Sequence, residues 1–186
     1  DRGYTTKGAW ELSDMFHLKA IELISKNLRD SVKEAKAGKP GSGREGMALG
    51  QYIAGMGFSN VGLGIDHAMA HTLSAHYDTP HGVACAMLLP IAMEFNKPVV
   101  ANRLADVAVA MGIDTKGMDS ESAADAAIEA VRKLSFDVGI PTACDGLTEA
   151  DLDQLASDAM SDACFPGNPR DASHEEVVGL FKKIMG

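Results

Sequence analysis

The sequence predicts an all-α protein, a bundle of about eight helices in a single domain over residues 1–186. Apolar residues recur at intervals of three and four along most of the chain, which is the period of an amphipathic helix, and strand-like alternation is almost missing. Hydrophobic residues make up 46% of the chain and charged residues 23%, as in ordinary globular domains. No repeat, low-complexity tract or long linker divides the chain, so one compact domain is expected.

The first three helices follow from apolar stripes separated by glycine-rich breaks. A loop over residues 37–43, with one proline and several glycines, ends the first helix. A second helix is expected over about residues 44–58, and a third, rich in Gly and Ala, over about residues 62–76. The stripe that predicts the first helix, over about residues 10–34, consists of Met15, Leu18, Ile21, Ile24, Leu28 and Val32.

A Thr-Pro pair opens the fourth helix. Thr79 is expected as the N-cap and Pro80 as the first helical residue, where its missing N–H costs nothing. This helix would extend to about residue 95, with Pro90 as a candidate kink.

Four further helices follow from capping signals. A helix over about residues 99–111 and one over residues 120–138 each end at a glycine. Thr148 begins a capping-box pattern that opens a helix to about residue 162, and Ser173 begins another that opens the last helix.

Composition excludes two classes of partner. Seventeen Lys and Arg against 26 Asp and Glu give a net charge of −9, which repels the phosphates of nucleic acids and anionic membrane surfaces. The most apolar stretches, such as residues 84–93, are far shorter than the roughly 20 residues that a bilayer requires, and the N-terminus has no signal-peptide pattern. Three cysteines without a Cys-x-x-Cys motif indicate reduced thiols, so a soluble cytoplasmic protein is expected.

The letters Gly41-Ser42-Gly43-Arg44-Glu45-Gly46 match a dinucleotide-binding fingerprint. That motif requires a strand before it and a helix after it, and here it follows a helix with no strand. We therefore interpret this segment as a flexible loop between helices rather than a phosphate site.

Four of the six histidines lie between residues 62 and 82. His67 and His71 are four residues apart and so project from the same face of a helix. His81 follows the Thr79-Pro80 turn, and an antiparallel fold-back of the two helices could bring it opposite His67. Neutral imidazoles on neighbouring helices can bind Fe, Zn, Ni or Cu. The alternative is that these are structural polar residues, since two or three histidines are an incomplete ligand set.

The remaining polar candidates have simpler interpretations. His17 and His174 are expected to be solvated on amphipathic helices, and His76 to be exposed. Cys164 is either a pocket residue or a small buried hydrophobic residue.

Residues 50–60 (Gly-Gln-Tyr-Ile-Ala-Gly-Met-Gly-Phe-Ser-Asn), His67, Ala70-His71 and residues 79–84 (Thr-Pro-His-Gly-Val-Ala) resemble the iron-containing, or group III, alcohol dehydrogenases. The resemblance extends to residue 170 and corresponds to that family's C-terminal, all-helical half. It implies an NAD-dependent oxidoreductase that interconverts small alcohols or diols and aldehydes. The implied metal is divalent, Fe²⁺ first and Zn²⁺ as the alternative.

The family holds its metal with one Asp and three His, and the last two histidines match His67 and His81. His71 matches a histidine beside the nicotinamide and the substrate that takes part in proton relay. Phe58 and Cys164 match positions that line the substrate pocket.

The resemblance also implies that the first Asp and His ligands and the nucleotide-binding domain are absent from these residues. With two ligands, we expect the chain alone to be inactive and to hold metal loosely. Asp66 and His76 depart from the family pattern, and we hypothesise that they could replace lost ligands. The alternative is a non-catalytic helical binding module whose uncovered apolar face favours partners, including a homo-oligomer.

Overall fold

The computed structural model describes residues 2–186, in which every regular element is a helix, and it confirms the predicted all-α fold class. Short 3₁₀ segments precede α1 (Arg2–Thr5), open α6 (Glu149–Asp151) and follow α6 (Phe165–Gly167). The α-helices are α1 (Glu11–Lys36), α2 (Ser42–Val61), α3 (Ile65–Tyr77), α4 (His81–Ala110), α5 (Ser120–Val138), α6 (Leu152–Ser161) and α7 (His174–Lys182).

A stripe of glycines brings α1 and α2 together as an antiparallel pair. A Cβ built on Gly43 would lie 2.6 Å from the backbone nitrogen of Ser31, and one on Gly57 would lie 2.3 Å from Nε2 of His17. Such distances are shorter than real Cβ contacts, so these positions admit only glycine at this separation of the helices. The glycines of α2 that face α1 are Gly43, Gly46, Gly50 and Gly57.

The expected flexible loop over residues 41–46 is wrong, because α2 already begins at Ser42. The carboxylate of Glu34 accepts hydrogen bonds from the backbone N–H groups of Gly43, at 3.1 Å, and Arg44, at 3.0 Å. An anionic side chain of α1 thus occupies the helix N-terminus where a phosphate would otherwise bind.

The two helices expected over residues 80–95 and 99–111 are the two arms of α4, which is kinked where they meet. Its backbone leaves helical geometry inside the helix at Val100 (φ −133°, ψ 21°), two residues after Pro98, rather than at the candidate kink Pro90. Pro98 removes one helical hydrogen bond, which accounts for a kink at this point between the two arms.

By length and composition, α4 could cross a membrane, so the expectation that every apolar stretch is far too short is wrong. More than half of its apolar window is buried inside the protein, which is the position of a core helix. On one side, α4 packs with α3, α6 and α7 around Leu73, Leu88 and Phe181. On the other side, it packs with α1 and α5 around Ile21 and Leu104.

Between α1, α4 and α5 lies an apolar groove of about 380 Å³, which we call the α1–α4 groove. Thr5, Thr6, Gly64 and Asp66 are among the residues that line it. Its apolar wall includes Ile24, Leu28, Val32, Leu89, Met93 and Val131.

His17 is fully buried, which contradicts its expected exposure. Its ring fills the space left by Gly3 and Gly57, where the lack of Cβ atoms makes room for an imidazole. His174 is half-exposed, and its Nε2 lies 3.2 Å from the hydroxyl of Ser157.

Candidate metal and catalytic site

The turn between α3 and α4 determines where the site forms. Asp78 ends α3 in the left-handed conformation (φ 51°), and Pro80 takes the N-cap position of α4. The prediction that Thr79 is the N-cap is therefore wrong by one residue, and the hydroxyl of Thr79 contacts Sγ of Cys144 at 3.8 Å instead. The shift makes His81 the first residue of α4 and directs the two helices back along each other.

Three of the predicted site residues converge at this turn. The ring centroids of His67 and His71 are 5.6 Å apart, those of His67 and His81 are 5.1 Å apart, and those of His71 and His81 are 5.2 Å apart. His67 is half-buried, whereas His71 and His81 are exposed. Three imidazoles from two helices thus surround one open point at the surface.

Cys85 joins two of these histidines in a set of metal-compatible donors. One donor atom each from His67, His81 and Cys85 lies within 4.8 Å of the others. Sγ of Cys85 lies 3.5 Å from Nε2 of His81, one helical turn earlier in α4. The sequence indicates only that Cys85 is one of three reduced thiols, although its four-residue spacing from His81 is a signal visible there.

A second set of donors comprises His71, Asp162 and Cys164. His71 Nδ1 donates to Asp162 Oδ2 at 2.9 Å, and the backbone N–H of Cys164 donates to Asp162 Oδ1 at 2.8 Å. Burial opposes ionisation of Asp162, but these hydrogen bonds hold its pKa below the ordinary value. Burial and the neighbouring Asp162 raise the pKa of the Cys164 thiol to about 11, so it stays protonated at neutral pH.

A buried asparagine pair supports the helix that carries His67. The side-chain amides of Asn96 and Asn168 bond to each other reciprocally at 2.9 and 2.8 Å. Oδ1 of Asn168 also accepts from the backbone N–H of Ile65 at 3.3 Å, in the first turn of α3. Gly64 allows this approach, since a Cβ there would lie 2.9 Å from Asn168 Oδ1. The start of α3, two residues before His67, is thereby fixed to the loop after α6.

The other predicted residues lie elsewhere. His76 is exposed, as expected, and its Nε2 donates to Asp158 at 2.8 Å. Asp66 is buried and lines the α1–α4 groove. Neither belongs to a donor cluster within residues 2–186, so the geometry gives no support to ligand replacement by them. Phe58 is half-buried in the last turn of α2 beside Gly3, and its place in a substrate pocket stays a prediction.

A sequence profile of the Fe-containing alcohol dehydrogenase family, C-terminal part, matches residues 2–185. The chain belongs to the iron-containing alcohol dehydrogenases. Lactaldehyde reductase of Escherichia coli (strain K12) is 51% identical over 181 residues, which are 96% of this chain and 46% of that protein. The 1,3-propanediol dehydrogenase of Citrobacter freundii is 40% identical over 184 residues, which are 98% of this chain and 47% of that protein.

Solved structures show the same helical fold in this family. A crystal structure of 1,3-propanediol oxidoreductase superposes with a TM-score of 0.94 at 37% identity, covering 99% of this chain and 48% of that one. Alcohol dehydrogenase from Oenococcus oeni superposes with a TM-score of 0.92 at 37% identity, covering 98% of this chain and 48% of that one. This iron-containing alcohol dehydrogenase chain therefore spans about half the length of the relatives it matches.

Proposed function

We propose that this chain is the metal- and substrate-binding half of a cytoplasmic, NAD-dependent alcohol dehydrogenase that interconverts small alcohols or diols and aldehydes. The observation that carries the proposal is the convergence of His67, His71 and His81, at centroid separations of 5.1 to 5.6 Å, at the turn between α3 and α4. The names of the relatives, lactaldehyde reductase and 1,3-propanediol dehydrogenase, support a small diol or hydroxyaldehyde as substrate.

His67 and His81 are the residues that would hold the metal. Their imidazoles suit Fe²⁺, with Zn²⁺ as the alternative, and their donor atoms lie within the 4.8 Å cluster. A bound divalent ion would supply Lewis-acid chemistry by polarising the substrate oxygen. Further ligands would come from the remaining half of the longer relatives, which would also bind NAD as the hydride carrier.

His71 is placed to move a proton between substrate and solvent. Asp162 accepts from Nδ1 at 2.9 Å, which leaves Nε2 as the nitrogen that exchanges a proton. The ring stacks on His81 and is also exposed, so it can contact both the reacting centre and water. Cys164 and Phe58 would line the substrate pocket, and the protonated Cys164 would serve there as a neutral, weakly polar wall.

The α1–α4 groove favours a second candidate function, a non-catalytic helical module. A groove of about 380 Å³ with a largely apolar wall is suited to a helix of another protein or of a second copy of this chain. In the dehydrogenase proposal, the same groove would seat part of the remaining half. The two proposals differ in the role of His67, His71 and His81. The dehydrogenase needs these histidines for turnover, whereas a binding module does not need them to bind its partner.

A chimera tests the proposal directly. Residues 2–185 would replace the matching C-terminal half of E. coli lactaldehyde reductase, to which 181 residues are 51% identical. We expect the purified chimera to contain a divalent metal and to reduce NAD with 1,2-propanediol. His67→Ala or His81→Ala should abolish both metal binding and turnover. His71→Gln should retain the metal and lower kcat by about 10²- to 10⁴-fold.

His76→Ala is the matched control, since His76 is exposed and pairs with Asp158 outside both donor clusters. It should leave metal content and turnover unchanged. A folded chimera that binds NAD and metal but does not oxidise the diol would contradict the dehydrogenase proposal and favour the binding module.

A further inference from the structure

The loop after α6 contacts His71, the residue to which we assign proton transfer. We infer that Asp162 is a positioning residue for the reaction: it selects the tautomer of His71 with the proton on Nδ1 and holds the ring in one orientation, so that Nε2 can take up a proton. The inference rests on the proposed function, which gives His71 its role. It adds that a carboxylate 91 residues further along the chain decides which nitrogen of His71 reacts.

Donors from His71 and Cys164 converge on the carboxylate of Asp162. Oδ1 accepts a hydrogen bond from the backbone N–H of Cys164 at 2.8 Å, and Oδ2 lies 2.9 Å from Nδ1 of His71. The thiol of Cys164 also donates to this carboxylate. An ionised carboxylate can only accept hydrogen bonds, so Nδ1 of His71 must carry the proton.

The backbone around Asp162 prevents its side chain from turning away from His71. Asp162 is the C-cap of α6 in extended geometry (φ −69°, ψ 143°), and its carbonyl accepts from the N–H of Phe165 at 3.1 Å. Further along the same loop, Oδ1 of Asn168 accepts from the backbone N–H of Ile65 at 3.3 Å. The loop is thus joined to the first turn of α3, the helix that carries His71.

The ring of His71 is restrained on its face as well. It stacks on His81 with the ring planes 21° apart, and it meets the ring of His67 edge-on at a centroid separation of 5.6 Å. Stacking limits the tilt of the ring. A flip of the ring would replace Nδ1 by a carbon and break the hydrogen bond to Asp162, so that contact also limits rotation.

A second His–Asp pair between the same two helices provides a comparison. Nε2 of His76 lies 2.8 Å from Oδ2 of Asp158, and this pair belongs to neither donor cluster within residues 2–186. Exposed pairs of this kind contribute little to stability. The alternative is that His71 and Asp162 form another such pair, without effect on proton transfer.

Asp162→Asn separates the two interpretations. In this variant the amide oxygen should stay with the N–H of Cys164, because an NH₂ group there would face another donor. The NH₂ group then faces Nδ1 of His71, which can pair with it only when the proton of the ring is on Nε2. The substitution should therefore reverse the tautomer of His71 with little change in side-chain shape.

NMR of the chain labelled with ¹⁵N-histidine measures the tautomer, because protonated and unprotonated ring nitrogens differ strongly in ¹⁵N shift. Spectra would be recorded with a chelator at mildly alkaline pH, where an ordinary imidazole is neutral. His71→Gln identifies the resonances of His71. We expect a proton on Nδ1 in the wild-type chain and on Nε2 in Asp162→Asn, with equal helicity by circular dichroism.

The chimera with lactaldehyde reductase measures the consequence for turnover. Asp162→Asn should lower kcat by about 10- to 100-fold, a part of the factor that a general acid–base group supplies. Metal content and the KM for 1,2-propanediol should stay unchanged, since the variant alters only a proton position. Asp158→Asn is the matched control: it makes the same change beside His76 and should leave kcat unchanged.

A proton on Nε2, or a mixture of tautomers, in the wild-type chain would overturn the inference and leave the proposed function intact, and this spectrum needs no substitution at Asp162. Unchanged kcat in a folded Asp162→Asn chimera would also overturn it, as would an equal loss of kcat in Asp158→Asn. A wild-type chimera without turnover would contradict the proposed function and, with it, the role of Asp162 in the reaction, whereas the spectrum would still report the tautomer.

Discussion

His17 lies with 0% of its surface exposed between α1 and the glycines of α2, which makes it the most buried of the described histidines. Burial is the main cause that lowers its pKa from the ordinary 6.5 to about 4, against a smaller opposing effect of the Asp14 carboxylate. The folded protein thus holds His17 neutral over a pH range in which the unfolded chain binds a proton.

The lowered pKa of His17 makes the free energy of unfolding depend on pH in a defined direction. Its contribution is fully present above pH 6.5 and is lost as the pH falls towards 4, because the unfolded state then binds more protons. The loss should be on the order of 3 kcal/mol over this range, since each pKa unit corresponds to about 1.4 kcal/mol. Urea unfolding at a series of pH values measures it.

In His17→Gln, the pH dependence of unfolding between 6.5 and 4 should become shallower, even if the variant is less stable throughout. Ser13→Ala is the control, since Ser13 is also buried in α1 but has no titratable group, so this substitution should leave the slope unchanged. An unchanged slope in His17→Gln would show that His17 is not the group responsible.

At the scale of elements, the α1–α2 pair depends on the glycine stripe. A Cβ on Gly43 would lie 2.6 Å from the backbone nitrogen of Ser31 and 2.9 Å from the carbonyl carbon of Asp30, and backbone cannot move aside locally. Gly43→Ala should therefore destabilise the protein by about 1–3 kcal/mol, the usual cost of overpacking. Thermal unfolding followed by circular dichroism would show this as a lower Tm.

Gly55→Ala is the matched control in the same helix. No atom lies within 4 Å of a Cβ at Gly55, so alanine there gains about 0.5–1 kcal/mol from helix propensity without a clash. Its Tm should rise. If Gly43→Ala and Gly55→Ala changed Tm by the same amount, helix propensity rather than the close approach of α1 would determine stability along this stripe.

The helices with local end signals could be predicted from the sequence. The helix Ser120–Val138 has the expected bounds and ends at Gly139, which is left-handed with φ 86°. The capping boxes at Thr148 and Ser173 are both present. The prediction for residues 41–46 was wrong because a neighbouring helix decides the outcome there: Glu34 of α1 caps α2 early.

At the scale of the whole molecule, the approach of His67, His71 and His81 could be predicted because it needs only helical spacing and a tight turn. Asp162 could not be chosen as a partner in this way. Asp162 reaches His71 from 91 residues along the chain, across the packing of α3 against α6. The burial of His17 likewise depends on two glycines of other segments, Gly3 and Gly57, and an amphipathic pattern contains no information about them.

The apolar stripe that predicts α1 does not all enter the core. Ile24, Leu28 and Val32 line the α1–α4 groove, and Met15 is 69% exposed. An open apolar groove in a single chain should bind an environment-sensitive dye such as ANS. Leu28→Lys should lower the dye fluorescence by placing a charge in the groove wall. Leu49→Lys, the same substitution at a leucine that is 51% exposed and outside that wall, should not.

The same pair of variants tests the groove as a contact between copies. If this chain self-associates through the groove, sedimentation velocity should show Leu28→Lys shifted towards monomer and Leu49→Lys unchanged, because a buried unpaired ammonium costs several kcal/mol in an apolar contact. Joining the chain to the remaining half of lactaldehyde reductase should suppress both dye binding and self-association, since the added half would cover the groove. Dye fluorescence that is equal in the isolated chain and the chimera would show that the added half leaves the groove open.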